Sequence, residues 1–557
     1  MQRLFVANRG EIALRVLRTA QDLGLECISC YAPEDEALAK GYGATHNVLL
    51  PGRGAAAYLD IDAIVAAARE QKCDAVHPGY GFLSESAPFA QACEASGLIF
   101  VGPAPETLAL FGDKARAREL AMKHEVPVVP GLPAPVSVTD VEGFIGAAKG
   151  APVLLKAVAG GGGRGMRRVS AGDDLQEAFD RCRSEAERSF GSGELFVERL
   201  LEGARHIEVQ VIADRAGNIS HLWERDCSLQ RRHQKLIEQA PATNLSDSLR
   251  SKLIHAALIL AKAANYHGVG TFEFLVSADD SFFFIEANPR LQVEHTVTEE
   301  VTGVDLVELQ LGLAAGKSLH DLGVAEPPPV RGHAIQLRIL AETMESDGTT
   351  RPSGDTIGLW RPPCGPGVRV DSAIRSGLAA HPAFDSMIAK LIVSTADSDP
   401  ARTLRRAQRA LTEFEITGPR TNLAVLAALL ERPEMNTALL TTTFMEAHLD
   451  EILADADLHA EATETALGLA PAQGVSAGTK QSLAPGLIAL RAPLIGTVIE
   501  LNAAPGQHVE VGDSICVLES MKMEIPIEAP AAGKLVELLV AEEDSVDEDQ
   551  VVAIIET

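Results

Sequence analysis

Near its C-terminus the chain reads Glu519-Ser520-Met521-Lys522-Met523-Glu524, which places one lysine between two methionines. A repeat with a spacing of 37 residues surrounds this stretch and pairs Pro493 with Pro530, Gly496 with Gly533, Val509 with Val546, Val517 with Ile554 and Glu519 with Glu556. Turn sequences such as Pro505-Gly506 separate short apolar runs, so the repeat predicts two similar β units. Lys522 would then lie at the turn that joins the halves, where an enzyme can attach a group to it.

Two interpretations of this lysine fit the six residues alone: a surface lysine on a hairpin, or an attachment point. The repeat favours the second, because both halves are used to display one position. Residues 487–557 resemble the biotinyl domain of biotin-dependent carboxylases, whose acceptor motif is Ala/Ser-Met-Lys-Met. Lipoyl domains share the plan but usually carry Asp before the lysine and Ala after it, so Met521 and Met523 favour biotin. The resemblance implies a small all-β domain of two quasi-symmetric halves, with biotin attached to Lys522 by a biotin protein ligase.

Length and charge limit what the rest of the chain can be. The 557 residues are enough for three or four domains of ~150 residues each. The formal net charge of −28 argues against a nucleic-acid partner, because binding phosphates requires an excess of clustered Lys and Arg. We find no signal-peptide pattern at the start and no apolar run near the ~20 residues of a membrane helix. We therefore expect a cytoplasmic protein that contacts no membrane.

The N-terminal region shows the pattern of an open α/β unit. Residues 3–7 and 26–31 read as buried strands, and the helix between them has apolar residues at 12, 13, 16, 17 and 20. A further strand-like run at 74–76 continues the alternation, which extends to about residue 110. A GxGxxG fingerprint is missing from this region, so a dinucleotide is not implied.

A lysine followed by a glycine loop occupies the middle of the chain. The apolar run Pro152-Val153-Leu154-Leu155 ends at Lys156, and the loop 160–165 follows. Glycines let backbone N–H groups approach phosphate oxygens closely, and the lysine supplies charge. A flexible surface loop is the alternative, and it would be preferred if the loop stood alone.

Two carboxylates on apolar strands form the next feature. Glu273 and Glu286 lie on runs rich in phenylalanine, and the turn 277–281 joins the runs. Folding about the midpoint of the turn places the two carboxylates opposite each other, where they repel unless a cation is present. Oxygen ligands select a hard ion, so Mg²⁺ that bridges to substrate phosphates fits. The alternative is that both carboxylates face solvent and the phenylalanines form the buried face.

Further polar residues cluster around this pair. Asn288 and Arg290 alternate with Glu286, so an extended chain puts the three on one face, and the run 292–295 supplies a candidate base. The stretch 224–235 is rich in cations, which in so acidic a protein predicts an anion ligand, although a surface charge run is the usual alternative. His206, Glu208 and Gln210 share one strand face.

The C-terminal half of the chain divides by composition. Residues 331–446 form an α+β region with helices expected at 400–414 and 421–431, and residues 467–486 are rich in Ala, Gly, Pro, Ser and Gln, as linkers are. The predicted organisation is an N-terminal domain at 1–112, a second at 113–330, a third at 331–446, a linker at 447–486 and the biotinyl domain at 487–557.

Residues 3 to about 446 resemble the biotin carboxylase family of ATP-grasp enzymes. The motifs that carry this resemblance are Ala7-Asn8-Arg9-Gly10-Glu11, His77-Pro78-Gly79-Tyr80-Gly81-Phe82-Leu83-Ser84-Glu85, Gly112-Asp113-Lys114, the glycine loop, the stretch 224–235, Gln292-Val293-Glu294-His295, Arg331-Gly332-His333-Ala334 and Asp385-Ser386-Met387-Ile388. The resemblance implies an α/β and α+β fold: an N-terminal open α/β (pre-ATP-grasp) domain, an ATP-grasp domain and a C-terminal carboxylase domain.

The resemblance also implies roles for individual residues. ATP would be bound by Lys114, Lys156, Gly162, Gly163, Glu198, Arg199, Leu200, Leu201, His206, Gln230 and His233. Mg²⁺ or Mn²⁺ would be bound by Glu273, Glu286 and Asn288, and bicarbonate by Lys235, Arg290 and the backbone of Val293. Glu294 would be the general base, and Arg338 would stabilise the deprotonated ureido oxygen of biotin, so the catalytic set is Lys235, Arg290, Glu294 and Arg338.

The acceptor of the carboxyl group is the open question. Nothing in the chain resembles a carboxyltransferase, so we expect one as a partner subunit or as a further domain. The leading hypothesis is a component of an acyl-CoA carboxylase. At positions 289 and 296 the chain has Pro and Thr, which resembles the sequences of pyruvate carboxylase and of large multidomain acyl-CoA carboxylases rather than those of stand-alone subunits. Pyruvate or another non-CoA acceptor is therefore the second hypothesis. A scaffold with an inactive ATP-grasp domain is the third. By analogy with related carboxylases we expect a homo-oligomer.

Overall fold

A computed structural model describes residues 1–132, 135–148, 150–158, 165–170, 172–381, 383–437, 440–466, 487–493, 496–520, 523–542, 544–546 and 550–556. Three predicted features lie outside these ranges: Gly162 and Gly163 of the glycine loop, the segment 467–486, and Lys522.

The N-terminal domain is built around a parallel sheet with helices on both faces. Its elements are β1 (Arg3–Val6), α1 (Gly10–Asp22), β2 (Glu26–Tyr31), a 3₁₀ turn (Pro33–Asp35), α2 (Glu36–Ala39), β3 (His46–Leu49), α3 (Gly54–Ala57), α4 (Ile61–Glu70), β4 (Ala75–His77), α5 (Ala87–Ala95), β5 (Ile99–Phe100) and α6 (Pro105–Phe111). The strand order is β3-β2-β1-β4-β5. Helix α1 buries the predicted apolar stripe of Ile12, Ala13, Val16, Leu17 and Ala20. The expected open α/β domain is therefore confirmed.

The second domain contains a small antiparallel sheet and the start of a large one. The small sheet, in the order β6-β9-β7-β8, belongs to α7 (Lys114–Lys123), β6 (Gly131–Leu132), α8 (Val138–Ala147), β7 (Val153–Ala157), β8 (Met166–Val169), α9 (Leu175–Phe190) and β9 (Leu195–Arg199). The large sheet begins with β10 (Arg205–Ala213), β11 (Ile219–Arg231), β12 (Gln234–Ala240), α10 (Asp247–Ala263), β13 (Gly268–Val276), β14 (Phe282–Asn288), α11 (His295–Thr302) and α12 (Leu306–Ala314).

The third domain continues the same large sheet. Its elements are β15 (His333–Leu340), β16 (Glu342–Met344), β17 (Thr350–Pro352), β18 (Trp360–Arg361), β19 (Val368–Asp371), β20 (Met387–Thr395), α13 (Pro400–Thr412), β21 (Glu415–Ile416), α14 (Leu423–Glu431), α15 (Glu434–Thr437), α16 (Phe444–Ala447) and α17 (Leu449–Ala466). The strand order β14-β13-β10-β11-β12-β15-β20-β19 shows that β12 and β15 pair across the predicted boundary at 330/331. This pairing brings side chains from the second and third domains onto one surface.

Helix α17 corrects the predicted linker at 447–486. Residues 449–466 form a helix that packs against α14, and Ile452 and Ala456 are buried in the core of the third domain. An apolar stripe this narrow, within a sequence rich in Ala, Asp and Glu, has the composition of a linker, which explains the wrong prediction. Among the described residues, no helix combines the length and the apolar character needed to cross a bilayer.

The C-terminal domain is all-β, as expected. Its strands are β22 (Leu487–Arg491), β23 (Gly496–Leu501), β24 (His508–Val509), β25 (Ser514–Ser520), β26 (Met523–Glu528), β27 (Gly533–Leu538), β28 (Ser545–Val546) and β29 (Val551–Glu556). One sheet has the order β22-β29-β27-β24 and the other the order β26-β25-β23-β28. The first four strands correspond to the last four at the offset of the sequence repeat, which confirms the two quasi-symmetric halves. Ser520 and Met523 pair with each other on either side of Met521 and Lys522.

Candidate active site

Three carboxylates lie in a row across neighbouring strands of the large sheet. Glu286 on β14 pairs with Glu273 on β13, and Glu273 pairs with Glu208 on β10. Arg225 on β11 lies opposite Glu208 and ends the row. The opposition of Glu273 and Glu286 confirms the register predicted from the turn at 277–281. Like charges in such a row repel, so cations must lie beside them.

Lys235 is the central cation of the site. Its Nζ donates to Glu208 Oε2 at 2.7 Å and to Glu294 Oε1 at 2.7 Å, and it lies 3.4 Å from Glu273 Oε1. Burial lowers the pKa of Lys235, but the three carboxylates outweigh burial and hold its pKa well above the usual lysine value. Burial also disfavours the charged form of Glu294 and raises its pKa, but the positive charges of Lys235 and Arg338 outweigh burial. They hold the pKa of Glu294 well below the usual range. Both groups are therefore charged at neutral pH.

Arg338 joins the site from the third domain. Its Nε donates to Glu238 Oε1 at 2.6 Å, and its Nη2 lies 3.2 Å from Glu294 Oε2. Burial raises the pKa of Glu238, and Arg338 opposes this effect. The guanidinium thus bridges two buried carboxylates, one of which is the predicted base. The predicted catalytic residues Lys235, Glu294 and Arg338 are brought together by this arrangement.

The predicted metal group is formed by residues from β13 and β14. Asn288 Nδ2 donates to Glu273 Oε1 at 2.5 Å and lies 3.5 Å from Glu286 Oε1. Lys114 Nζ lies 3.3 Å from Glu286 Oε2, and His206 Nε2 lies 2.6 Å from Glu273 Oε2. The two facing carboxylates offer the hard oxygen donors that Mg²⁺ or Mn²⁺ prefers. The amide of Asn288 would add a third oxygen after a flip, since its oxygen now accepts from Arg290 Nη2 at 3.2 Å. The donor set therefore fits a divalent ion.

Burial settles the question that strand parity leaves open for Glu273, whereas the side chain of Glu286 is 34% exposed. Phe272, Phe274 and Phe284 are buried in a core cluster with α10, yet Glu273 on the opposite face is buried as well. Both faces of β13 are covered, so the polar face points into a site and not into bulk solvent.

The predicted nucleotide residues lie on the small sheet and on the β11–β12 hairpin. Lys156 on β7 forms an ion pair with Glu198 on β9, and Gln230 Nε2 lies 2.7 Å from His206 Nδ1. Arg199, Leu200 and Leu201 follow Glu198 directly, and Leu201 is buried. His233 occupies the two-residue turn between β11 and β12, where its surface is exposed. Partial desolvation by the surrounding protein, followed by the charge of Lys156, lowers its pKa.

The predicted bicarbonate residues are fixed by ion pairs that sequence patterns missed. Arg290 Nε lies 3.1 Å from Glu85 Oε2 in the N-terminal domain. Lys390 on β20 is fully buried, and its Nζ donates to the carbonyl oxygen of Val293 at 3.2 Å and pairs with Glu11 at 3.1 Å. A single lysine inside the apolar run of β20 was the signal that could have identified Lys390.

The cation-rich stretch 224–235 is held by ion pairs within the protein. Arg225 pairs with Glu208, Arg231 pairs with Glu342, and Lys235 contacts the three carboxylates described above. Carboxylates of the protein itself therefore fix these three cations, and the binding of an anion beside them stays a prediction.

Comparisons with known families agree with this architecture. Residues 1–108 match the family model for the biotin carboxylase N-terminal domain, and residues 113–322 match the ATP-binding domain of the carbamoyl-phosphate synthase L chain. Residues 336–447 match the biotin carboxylase C-terminal domain, and residues 488–555 match the model described as biotin-requiring enzyme.

Relatives and solved structures extend the match. Pyruvate carboxylase from Aspergillus niger is 45% identical over 458 residues, which are 80% of this chain and 38% of the relative, so the chain spans well under half of that protein. The structure of a single-chain, multi-domain long-chain acyl-CoA carboxylase is 39% identical with a TM-score of 0.72, covering 100% of this chain and 51% of that one.

A third similar structure is the biotin carboxylase domain dimer of the 2-oxoglutarate carboxylase from Hydrogenobacter thermophilus, in complex with MgADP, ADP and bicarbonate. It is 37% identical with a TM-score of 0.75, covering 81% of this chain and 98% of that one. The chain therefore belongs to the biotin-dependent carboxylase family, as an ATP-dependent biotin carboxylase followed by a biotinyl carrier domain.

Proposed function

We propose that this chain carboxylates biotin attached to Lys522, using ATP and bicarbonate, and supplies it to a carboxyltransferase that acts on an acyl-CoA. The observation that carries the first half is the convergence of Lys235, Glu294 and Arg338 at one buried site. The observation that carries the acceptor is the match over the whole chain, carrier domain included, to the long-chain acyl-CoA carboxylase structure.

The first step would form carboxyphosphate from bicarbonate and ATP. Lys114, Lys156, His206, Gln230 and His233 would bind ATP, together with Gly162 and Gly163 of the glycine loop and with 198–201. Glu273, Glu286 and Asn288 would bind Mg²⁺ or Mn²⁺, which offsets the charge of the phosphates when bound.

Arg290, Lys235 and the backbone of Val293 would orient bicarbonate beside Glu294. Since Glu294 is ionised at neutral pH, it can accept the proton of bicarbonate directly. Biotin is the second substrate, and negative charge that develops on its ureido oxygen needs a fixed guanidinium nearby. Arg338 is suited to this role, because two carboxylates hold its position.

A decisive experiment measures ATP hydrolysis by the purified chain with bicarbonate, with and without free biotin. Bicarbonate-dependent hydrolysis that biotin stimulates supports the proposal. Well-folded protein without this activity would favour an inactive scaffold.

The acceptor is tested by recovering the carboxyltransferase partner and assaying acetyl-CoA, propionyl-CoA, longer acyl-CoAs and pyruvate. The dimeric 2-oxoglutarate carboxylase domain supports the proposal that this chain also forms a homo-oligomer.

Pyruvate is the second candidate acceptor. Its support is the 45% identity to a pyruvate carboxylase, although that alignment covers 80% of this chain. Carboxylation of pyruvate, with no turnover of any acyl-CoA, would replace the first candidate by this one.

A further inference from the structure

A buried chain of hydrogen bonds leads from Thr296 through Gln336 and Glu238 to Arg338. Gln336 on β15 lies opposite Glu238 on β12, at the strand pair that joins the second and third domains. Thr296 Oγ1 donates to Gln336 Oε1 at 2.5 Å, and Gln336 Nε2 donates to Glu238 Oε2 at 3.0 Å. The other oxygen of Glu238 accepts from Arg338 Nε at 2.6 Å. Thr296, Gln336 and Glu238 are all fully buried.

Chemistry fixes the direction of this chain. A carboxylate accepts and cannot donate, so the Gln336 amide must present its nitrogen to Glu238. Its oxygen then faces Thr296, whose hydroxyl is the donor that this oxygen requires. Without that hydroxyl the buried amide oxygen has no donor, and the amide keeps only one of the two contacts that hold its plane. Thr296 therefore completes the pair of contacts that holds the Gln336 amide, and with it Glu238, in place.

The same carboxylate fixes the plane of the guanidinium. Glu238 takes the Nε edge of Arg338, and Glu294 contacts Nη2 at 3.2 Å. Contacts at Nε and Nη2 lie along one edge of the guanidinium, and two contacts along one edge define the orientation of a planar group. Nη1 lies outside this edge. A shift of Glu238 would rotate the guanidinium relative to Glu294, and small misplacements of a catalytic group lower rates strongly.

We propose that Thr296 and Gln336 are positioning residues, which act through Glu238 to hold Arg338 in the orientation that receives the ureido oxygen of biotin. The inference rests on the proposed role of Arg338. It assigns Thr296 a function that acts first on Arg338, because the chain of bonds reaches Arg338 through Glu238 alone. The nucleotide residue His206 is reached only further on, through Glu294, Lys235 and Glu273.

The test compares Thr296→Val, which removes the hydroxyl at nearly constant volume, with Thr296→Ser, which keeps it. Thr302→Val is the matched control, since Thr302 lies on the same helix and its hydroxyl donates to the carbonyl of Thr298. The readouts are kcat and KM for free biotin in the biotin-stimulated reaction, and the KM for ATP. Thr296→Val should lower kcat/KM for biotin roughly tenfold, with a much smaller change in the KM for ATP. Thr296→Ser and Thr302→Val should stay close to wild type.

Gln336→Glu gives a second, independent variant, because it replaces the amide donor by a second carboxylate facing Glu238. It should lower kcat/KM for biotin at least as much as Thr296→Val. The inference is overturned if Thr296→Val matches wild type, or if Thr302→Val causes an equal loss. Lack of biotin stimulation in the wild-type protein would instead contradict the proposed function, so the two failures are distinguishable.

Discussion

Glu294 accepts a hydrogen bond from Lys235 at 2.7 Å, although the two residues lie on different elements of the site and both are largely buried. Lys235 also contacts Glu208 and Glu273, so its removal takes one counter-charge from three buried carboxylates. Breaking a buried ion pair on one side costs about 3 kcal/mol or more. The stability and the chemistry of the site therefore depend on the same ammonium group.

Lys235→Met should lower the free energy of unfolding by about 3 kcal/mol and abolish bicarbonate-dependent ATP hydrolysis. Urea denaturation and the ATPase assay measure the two effects. Lys252→Met is the control, because Lys252 is exposed on α10 and its loss should change stability by less than about 0.5 kcal/mol. An active, fully stable Lys235→Met protein would refute the central place of this lysine.

His333 makes stability depend on pH. Burial lowers the pKa of His333 to about 4, and neither ring nitrogen has a hydrogen-bond partner among the described residues. In the unfolded chain the imidazole of His333 takes up a proton below a pH of about 6.5, whereas in the folded protein it stays neutral down to a pH of about 4. The folded state is therefore most stable above a pH of about 6.5, and it loses stability as the pH falls toward about 4.

His333→Phe should therefore remove about 2 kcal/mol of the stability difference between pH 7 and pH 5. Urea denaturation of both proteins at the two pH values measures this difference. A loss between pH 7 and pH 5 as large in the variant as in the wild type would show that His333 does not contribute.

Local sequence predicted the register of the site but not its surroundings. Glu273 and Glu286 face each other because a short turn joins their strands, and a turn can be located in a sequence. Burial of Glu273 depends on the counter-charge of Lys235, which comes from a different strand, β12, and strand parity contains no information about it. Lys390 illustrates the same limit, since its partners Glu11 and Val293 belong to two other domains.

The predicted end of the third domain at residue 446 differs from the structure for another reason. Helix α17 buries Ile452 and Ala456, so its apolar stripe is too narrow to distinguish it from a solvated Ala- and Glu-rich segment. This segment packs because α14 offers an apolar face to it, and that face lies elsewhere in the sequence. The carrier domain was more predictable, because its repeat puts the same information into the sequence twice.

The turn between β11 and β12 is strained at two residues. Arg232 and His233 have φ values of 45° and 66°, a region that favours glycine. His233→Gly should stabilise the fold by up to about 1 kcal/mol, because glycine adopts this backbone conformation without strain. It should also weaken ATP binding, because the variant lacks the imidazole that is proposed to bind ATP.

Arg232→Gly is the matched variant at the neighbouring position. Its side chain is more than half exposed and lies near Asp347, so the variant should be stabilised similarly and bind ATP as the wild type does. Thermal unfolding and ATP titration distinguish the two effects. Equal loss of ATP affinity in both variants would show that the turn conformation, and not the His233 side chain, matters for binding.

Biotin labelling tests the carrier domain separately from the carboxylase. Lys522→Arg should abolish labelling by a biotin protein ligase, while the reaction with free biotin continues. Lys534→Arg is the control, since Lys534 is an exposed lysine on β27 of the same domain, and it should label normally. Avidin blotting measures the label. Labelled Lys522→Arg protein would contradict the attachment site.

Lys390 provides a test of how the bicarbonate residues are anchored. Lys390→Met should cost about 3 kcal/mol of stability, because Glu11 loses its buried partner. It should also raise the KM for bicarbonate, because the carbonyl of Val293 loses its donor. Burial already raises the pKa of Glu11 and Lys390 opposes this, so the variant should raise that pKa further. Glu11 then folds protonated, and the stability deficit should be larger at pH 8 than at pH 5.

The double variant Glu11→Gln with Lys390→Met separates the two effects of this lysine. Removing both charges should recover roughly half of the lost stability and remove the difference between pH 5 and pH 8, because no buried carboxylate remains unpaired. The KM for bicarbonate should stay high, since the amide introduced by Glu11→Gln does not replace the ammonium donor to the carbonyl of Val293. Recovery of the KM together with stability would show that Lys390 acts only through Glu11, and that the contact with Val293 does not position bicarbonate.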